Sequence, residues 1–391
     1  MVSFYKHNLE EEKMPFIWEH VDWPNFRYDK AKADESYRQF LAQKNITDAA
    51  FSILDENSRK RLHAMDLADD MVSSLAIEDE HIEYDSVYSS VSRRLELPVT
   101  GNNRYDAYAE SICTMTMDAI DNINPLTEER LNGWHRMLFE SAAGIKPKVI
   151  GGYRSSPEYI LRRQGRDVEI VYTAVPHEKV PSEMGRLLQF INDEKKQKQH
   201  NPIVLVSIVS LWFVAIHPYG DGNGRISRAI SDHILSKSFK DTMKVFSLSA
   251  MILRNRKSYY ELLERITGQK ESIDITDWVL WNTEMATGAE RNALASLRKT
   301  MNLTSFMKDL DPAEYNSREI HMLFKLADGS FFGKLTNEKW AKMNKCSSAA
   351  ALRDIQHLVE KGLLIPSGDA GRNAGYYLNP EIGERYGSTA Y

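Results

Sequence analysis

The chemically densest stretch of the chain is His217-Pro218-Tyr219-Gly220-Asp221-Gly222-Asn223-Gly224-Arg225-Ile226-Ser227-Arg228. Glycines at 222 and 224 let backbone N–H groups approach an anion with no Cβ in the way. A helix starting near Asn223 would add the partial positive charge of its N-terminus. Arg225 and Arg228 offer forked donors to phosphate oxygens. Asp221, an acid inside this cationic loop, is the expected ligand for Mg²⁺ carried by a nucleotide. His217, of the residue type that titrates near neutrality, is the expected general base for an incoming hydroxyl. Together these residues read as one site for phosphoryl chemistry.

Other uses of such a loop fit less well. A glycine-rich turn that caps a helix is by itself commonly structural. A calcium loop needs oxygen ligands beyond Asp221 and Asn223, and none follow. A P-loop needs Gly-Lys-Ser/Thr after a strand, whereas this loop follows a helix. A zinc site needs more than the one histidine present.

The elements around the loop can be read from periodicity. Ile203 to Ile216 is apolar nearly all round, which predicts a buried helix that Pro218 ends. In the helix that follows, Ile226, Ala229, Ile230 and Ile234 mark the core side, with Arg225 and Arg228 on the opposite side. Ala31 to about Leu97 is helical in pattern, and Pro125 and Gly151-Gly152 punctuate the next stretch. Tyr159 to Thr173 alternates Val168, Ile170 and Tyr172 with polar residues after a Gln164-Gly165 turn signal, a hairpin pattern. Helical periodicity returns from Pro181 to Trp281. Phe16, Trp18, Trp23, Phe26 and Tyr28 crowd the segment Phe16 to Asp29, which predicts an N-terminal arm stapled to the core by large rings.

Beyond about residue 290 three short helices are expected, Ser317–Leu326, Thr336–Met343 and Ser347–Lys361. Leu363-Leu364-Ile365, a turn-rich stretch and Tyr376-Tyr377-Leu378 follow, an order that resembles a winged helix-turn-helix. Its third helix carries Arg353, His357 and Lys361 but also Asp354 and Glu360, which favours scaffolding or dimerisation over DNA binding.

Composition bounds the rest. With 391 residues, 42% of them hydrophobic, two or three domains and a sizeable core are expected. Fifty Lys and Arg against 55 Asp and Glu give no electrostatic case for a dedicated nucleic-acid binder. Cys113 and Cys346 cannot build a disulfide framework or a zinc motif, so a reducing compartment is expected. Residues 1–15 are polar, with acids at 10–12, and lack the apolar core of a signal peptide. No apolar stretch is long enough to span a bilayer. A cytoplasmic protein without a membrane partner is expected.

The loop matches the Fic family motif, His-Pro-Phe-x-Asp/Glu-Gly-Asn-Gly-Arg-x-x-Arg, at every position except Tyr219. The resemblance covers roughly residues 70 to 285. It implies a mainly α fold: a Fic-type helical core with a β-hairpin flap, plus the C-terminal winged helix-turn-helix-like module. The expected domains are 1–110, with an inhibitory helix, 111–289, catalytic, and 290–391. The resemblance further implies transfer of AMP from ATP to a Ser, Thr or Tyr hydroxyl of a target protein. His217 would take the proton and Asp221 would hold Mg²⁺. Asn223, with the backbone at Gly222 and Gly224, would cradle the α- and β-phosphates, while Arg225 would bind the β-phosphate and Arg228 the γ-phosphate. Doc-type relatives, which phosphorylate, carry lysine where this chain has Gly224. The 159–173 hairpin resembles the flap that adds the target as a strand. Tyr260 matches an aromatic near the adenine, and Thr267 stands where some relatives carry asparagine. Arg154 matches a common family pattern, without an assigned role.

A second pattern lies upstream. Leu67, Met71, Leu75 and Ile82 fall on one helical stripe together with Ser74 and Glu78. Periodicity alone leaves Glu78 at the edge of that stripe, in solvent. However, Ser74-Leu75-Ala76-Ile77-Glu78-Asp79 resembles the inhibitory motif Ser/Thr-x-x-x-Glu-Gly/Asn, which implies that Glu78 pairs with Arg228 and blocks the γ-phosphate. Asp79 departs from that motif. Removal of AMP by the same site, transfer of another nucleotide, and a nucleotide-sensing DNA- or protein-binding regulator stay open as alternatives. So do a homodimer and DNA binding by residues 290–391.

Overall fold

The computed structural model describes residues 16–97, 106–142, 146–164, 167–239, 247–268, 272–327, 331, 334–369 and 374–382. The acidic run 10–12, the hairpin tip 165–166 and part of the 366–375 turn lie outside them. The described chain forms two compact units, one ending at Ala293 and one beginning at Leu294. In the first, a 3-10 turn (Ile17–Glu19) precedes α1 (Lys30–Ser52), α2 (Glu56–Ile77), α3 (Tyr84–Arg94), α4 (Ala107–Asp121) and α5 (Glu128–Phe139). Next come β1 (Tyr159–Gln164), β2 (Asp167–Thr173), α6 (Val180–Asn192) and the short α7 (Glu194–Gln197). The unit continues with α8 (Pro202–Ile216), α9 (Asn223–Ser238), α10 (Leu248–Arg254) and α11 (Arg256–Thr267), and it takes in α12 (Thr276–Asp309) as far as Ala293.

The core forms around α8. Asn201 caps this helix by accepting from the Val204 amide at 2.9 Å, and Pro202 stands in its first turn. Almost every side chain of α8 is buried, as its apolar composition requires. It packs against α6 and α9, while α9 also packs against α4, and α2 lies on α3, α9 and α10. Trp278 of α12 donates its indole N–H to the Ser207 carbonyl at 2.9 Å, pinning α12 to the same core. No helix among the described residues is long and apolar enough to cross a membrane.

Helix α2 ends at Ile77, so the apolar stripe expected to run on to Ile82 is cut before Ile82. The Asp79 amide donates to Ala76 O at 3.1 Å and the Glu80 amide to Leu75 O at 3.1 Å, the paired bonds of a Schellman turn. Asp79 takes the left-handed position, φ 60°, which usually falls to glycine. Arg256 supports this ending from outside, with Nε on Ile77 O at 2.7 Å and Nη2 on the Asp79 carboxylate at 2.6 Å.

The aromatic N-terminal arm closes over the base of the hairpin. Phe16 meets Tyr172 edge-on at 5.0 Å, and Trp18 donates to Thr173 O at 2.8 Å. Trp23 donates to Glu183 at 3.0 Å, from α6. Strands β1 and β2 are antiparallel, Tyr159 opposite Thr173 and Gln164 opposite Asp167, with an irregularity between Ile160 and Leu161.

In the second unit, α13 (Ser317–Ala327), α14 (Asn337–Met343) and α15 (Ser348–Glu360) precede β3 (Leu364–Pro366) and β4 (Tyr376–Leu378). The two strands pair antiparallel, and Leu335 bridges to Tyr376. Met322, Leu323, Trp340, Ile355 and Leu358 form its core. Several charges in and beside α15 are paired within the unit. Asp354 takes Arg318 at 2.7 Å, His357 faces Glu319 at 2.8 Å, and Lys361 pairs with Glu314 at 2.9 Å. Arg353 is left exposed.

Candidate active site

The loop between α8 and α9 begins where α8 stops. His217 is the C-cap of α8, in left-handed conformation with φ 53°, and its amide still donates to Phe213 O at 3.0 Å. Its Nδ1 lies 3.2 Å from Val214 O. A carbonyl only accepts, so Nδ1 carries the proton and Nε2 keeps its lone pair. Burial pushes the His217 pKa down to about 4, and the Arg154 charge adds to this, although Val214 O, Glu78 and Asp221 oppose it. The imidazole is therefore neutral at pH 7, the form a base requires.

Asn223 holds the loop shut. Its side-chain nitrogen donates to Tyr219 O at 2.7 Å and its oxygen accepts from Tyr219 N at 3.0 Å. The buried Asn223 side-chain amide is thus turned to Tyr219. Tyr219 is itself buried, and its hydroxyl donates to Asn132 at 3.0 Å, so the ring that replaces phenylalanine gains a partner. Gly222 caps α9 with φ 82°, and a Cβ there would lie 3.0 Å from the Phe139 ring. Both the dihedral and the space demand glycine.

The two arginines lie on the side of α9 opposite its apolar stripe. Both are buried, because α2 and α4 cover that side. Arg228 donates from Nε to Ser74 Oγ at 2.8 Å, from Nη2 to Ser74 O at 2.7 Å and from Nη1 to Glu78 Oε1 at 2.9 Å. Glu78 thus turns inward rather than out to solvent. Burial raises its pKa, but the charge and hydrogen bond of Arg228, the charge of Arg225 and the Tyr260 hydroxyl outweigh this and hold it below the usual carboxylate range. Tyr260 lies 3.2 Å from both Glu78 Oε2 and Ile77 O, so its hydroxyl meets the end of α2. The cavity beside the arginines, lined in part by Ser74, Arg225 and Arg228, holds about 20 Å³, room for one water.

Comparison with known proteins places this geometry. Residues 125–235 match the Fic/DOC family, and residues 16–97 match a domain described as a domain of unknown function (DUF4172). The chain carries a Fic/DOC family domain. Its fold is that of a Fic family protein from Desulfovibrio desulfuricans G20, with TM-score 0.52 and 19% identity over 91% of this chain and 98% of that one. A Fic-domain signalling protein from Bacteroides thetaiotaomicron VPI-5482 also matches, at TM-score 0.47 and 18% identity over 69% of this chain and 96% of that one. So does Fic-1 (residues 134–508) from C. elegans, at TM-score 0.47 and 15% identity over 70% and 74%. Proteins of the Fic fold family are generally transferases.

Several residues that shape this Fic site escaped the sequence reading. Glu80, two residues past Glu78, lies 2.7 Å from Arg225 Nη1 and accepts from the Tyr108 hydroxyl at 2.8 Å. Arg225 Nη2 meets Asp221 Oδ1 at 3.0 Å, and its guanidinium lies 4.9 Å from the centre of the Phe139 ring. The only hint of Glu80 was the acid run 78–80. His135 brackets the loop from below, accepting from Gly151 N at 2.9 Å through Nδ1 while its Nε2 lies 3.2 Å from Asp221 O. It stacks on Tyr219 at 4.3 Å, and burial pushes its pKa down to about 4. Thr267 is buried and donates to Leu263 O at 2.9 Å within its own helix.

Asp221 is exposed and accepts from the Gly222 amide at 2.5 Å as well as from Arg225. Among the described residues no three acidic, histidine or cysteine side chains group to hold a metal. One carboxylate in an open loop suits an ion whose other ligands arrive with a polyphosphate, which fits Mg²⁺ bound to a nucleotide.

Proposed function

We propose that the chain is a protein adenylyltransferase that moves AMP from ATP to a hydroxyl of a target protein. The observation that carries this reading is the joint placement of a neutral, half-buried His217 and a glycine-bounded helix N-terminus that ends on Arg225 and Arg228. A hydroxyl oxygen attacks the α-phosphorus in line, the bond from that phosphorus to the β-phosphate oxygen breaks, and pyrophosphate leaves. His217 Nε2 takes the hydroxyl proton. The backbone N–H groups at Gly222 and Gly224, with Arg225 and Arg228, bind the phosphates and offset developing charge. Asp221 would hold Mg²⁺, which neutralises phosphate charge when bound.

Gly224, where Doc-type relatives carry lysine, supports AMP transfer over phosphorylation, and in this chain it also leaves room for Glu78. A Cβ there would lie 1.9 Å from Glu78 Oε1 and 3.1 Å from Arg228 Nη1. A lysine at 224 could not share the space with an inward Glu78. Glu78 is proposed as a brake: it sits on Arg228, where the γ-phosphate would pair, and so keeps ATP out of the reactive pose. The target segment docks on the 159–173 hairpin, adding a strand at an edge where Tyr159, Ile160 and Leu161 are exposed. Two free cysteines suit a reducing, cytoplasmic setting. The second unit, three helices and an antiparallel pair, is proposed as a winged-helix-like scaffold, with Asp354, His357 and Lys361 paired within the unit.

Intact-mass spectrometry after incubation with ATP and Mg²⁺ tests the reading on wild type, Glu78→Gly, and Glu78→Gly with His217→Ala. Mass gain by AMP units in Glu78→Gly, weak in wild type and absent from the double variant, is expected. Strong modification of the wild type would remove the brake but keep the transferase. No modification together with no ATP binding would favour a regulator that does no chemistry at this loop.

A further inference from the structure

A helix C-terminus leaves its last carbonyls without helical partners, and a glycine turn commonly satisfies them. Helix α8 ends differently. The Tyr172 hydroxyl of β2 donates to Ala215 O at 2.7 Å. Arg154 reaches Ile216 O at 3.3 Å through Nη2 and His217 O at 2.7 Å through Nε, and its own amide donates to Pro218 O at 2.9 Å. The same guanidinium turns its remaining donors to the other side. Nη1 holds Ser156 O at 2.9 Å, just before β1, and Nη2 also holds Val175 O, just after β2. The base of the hairpin is closed there by Ala174 N on Glu158 O at 3.1 Å. Arg154 is buried, and no other side chain type offers five N–H donors in one rigid plane.

We infer that Arg154 is a positioning residue that fixes the distance between the β-hairpin and His217, so that a segment docked on the hairpin presents its hydroxyl to the base. The inference rests on the transferase reading for its consequence, while the mechanical link stands on geometry alone. Among the described residues, the side-chain bonds of Arg154 go to backbone carbonyls, on the loop that carries His217 and on both strands' roots. A shift of the hairpin relative to His217 must therefore break at least one of these bonds. Displacement of a docked group by about 1 Å costs roughly 10- to 100-fold in rate. Phosphate binding by Gly222, Gly224 and Arg228 does not pass through this link.

The test compares Arg154→Gln and Arg154→Lys with Arg130→Lys, all in the Glu78→Gly protein. Arg130 is a matched control, since its guanidinium clamps the carbonyls of Asp118, Asn122 and Asn124. ATP affinity, the self-modification rate at saturating ATP per ATP-binding site, and hydrogen exchange of amides 159–173 and 217–222 are measured. ATP affinity is expected to stay within about twofold, because the phosphate donors remain. The rate is expected to fall roughly 10- to 100-fold in Arg154→Gln and less in Arg154→Lys. Exchange is expected to rise in both segments together, while Arg130→Lys changes neither rate nor exchange there. If Arg154→Gln does not fold, Tyr172→Phe, which removes the link to Ala215 O alone, is expected to loosen the same two segments. A wild-type rate in both Arg154 variants, or looser hairpin amides with the loop unchanged, would overturn the inference. A silent Glu78→Gly parent counts against the transferase reading instead, and coupled exchange then still upholds the link.

Discussion

Glu78→Gly tests the most consequential pair in the site. Arg228 is 7% exposed and the Glu78 side chain 27%, so the ion pair is largely withdrawn from water. Removing one partner of a buried pair costs about 3 to 5 kcal/mol, because the other charge is left unpaired. Arg228 keeps Ser74 Oγ and Ser74 O, two of its three partners, which sets the expected cost near the lower end, about 3 kcal/mol. The variant without ligand should then melt about 5 °C below its parent. A γ-phosphate would replace the missing carboxylate, so ATP should restore stability and bind more tightly. At about 1.4 kcal/mol per tenfold, the gain in ATP affinity is up to roughly 100-fold. Calorimetric titration with ATP and Mg²⁺ in a His217→Ala background, which prevents turnover, measures the affinity, and thermal unfolding with and without ATP measures the stability. The Glu78 pKa is held below the ordinary carboxylate range, so the pair is present at neutral pH and lost only as pH falls through that depressed value. Equal ATP affinity in the two proteins would refute competition between Glu78 and the phosphate. Equal melting temperatures without ATP would refute the net stabilisation by the pair.

Three other outcomes follow from named contacts. Glu80→Gln should weaken the hold on Arg225 and raise ATP affinity further when combined with Glu78→Gly, measured by the same titration; no added gain would leave Glu80 a purely structural partner. Asp79→Gly should melt at or above the parent temperature and Asp79→Ala below it, since alanine keeps the left-handed strain and loses Arg256. Burial pushes the pKa values of His135 and His233 down to about 4 from 6.5. Between those values the unfolded chain binds protons first, so stability should fall as pH drops from 6.5 to 4, by up to about 3 kcal/mol per histidine. Urea midpoints across that window check the slope, which His233→Gln should reduce by about one proton.

The 217–228 loop was legible because its signal is local. Its glycines, acid and arginines lie in one run, and each residue type constrains the backbone or the charge at its own position. Contacts closed over long separations were not. His135 reads as one histidine on a helix until folding brings Gly151 N and Asp221 O to its two ring nitrogens. The burial of Arg225 and Arg228 was hidden for a related reason. Periodicity assigns a polar face, but whether water or another helix meets that face depends on the packing of α2. The end of α2 was hidden because Asp79 occupies a position where glycine would have announced the turn. Only the distant Arg256 explains how an aspartate holds it.

The pairing around the loop has a thermodynamic consequence for the proposed activity. Arg228 already faces Glu78, and Arg225 faces both Glu80 and Asp221, so each guanidinium meant for a phosphate has a carboxylate in front of it. Two of those carboxylates belong to the single Schellman turn that ends α2. A polyphosphate can therefore bind fully only by displacing that turn or by drawing the arginines away from it. Coupling between two equilibria is reciprocal. Under the proposed activity, whatever loosens residues 78–80 would tighten ATP, and ATP would loosen residues 78–80 to the same degree. The turn is held from outside by Arg256 on Ile77 O and by Tyr260 on Ile77 O and Glu78. The sensitivity of the proposed brake would thus depend on α11, which carries both of these residues, as well as on the carboxylates themselves.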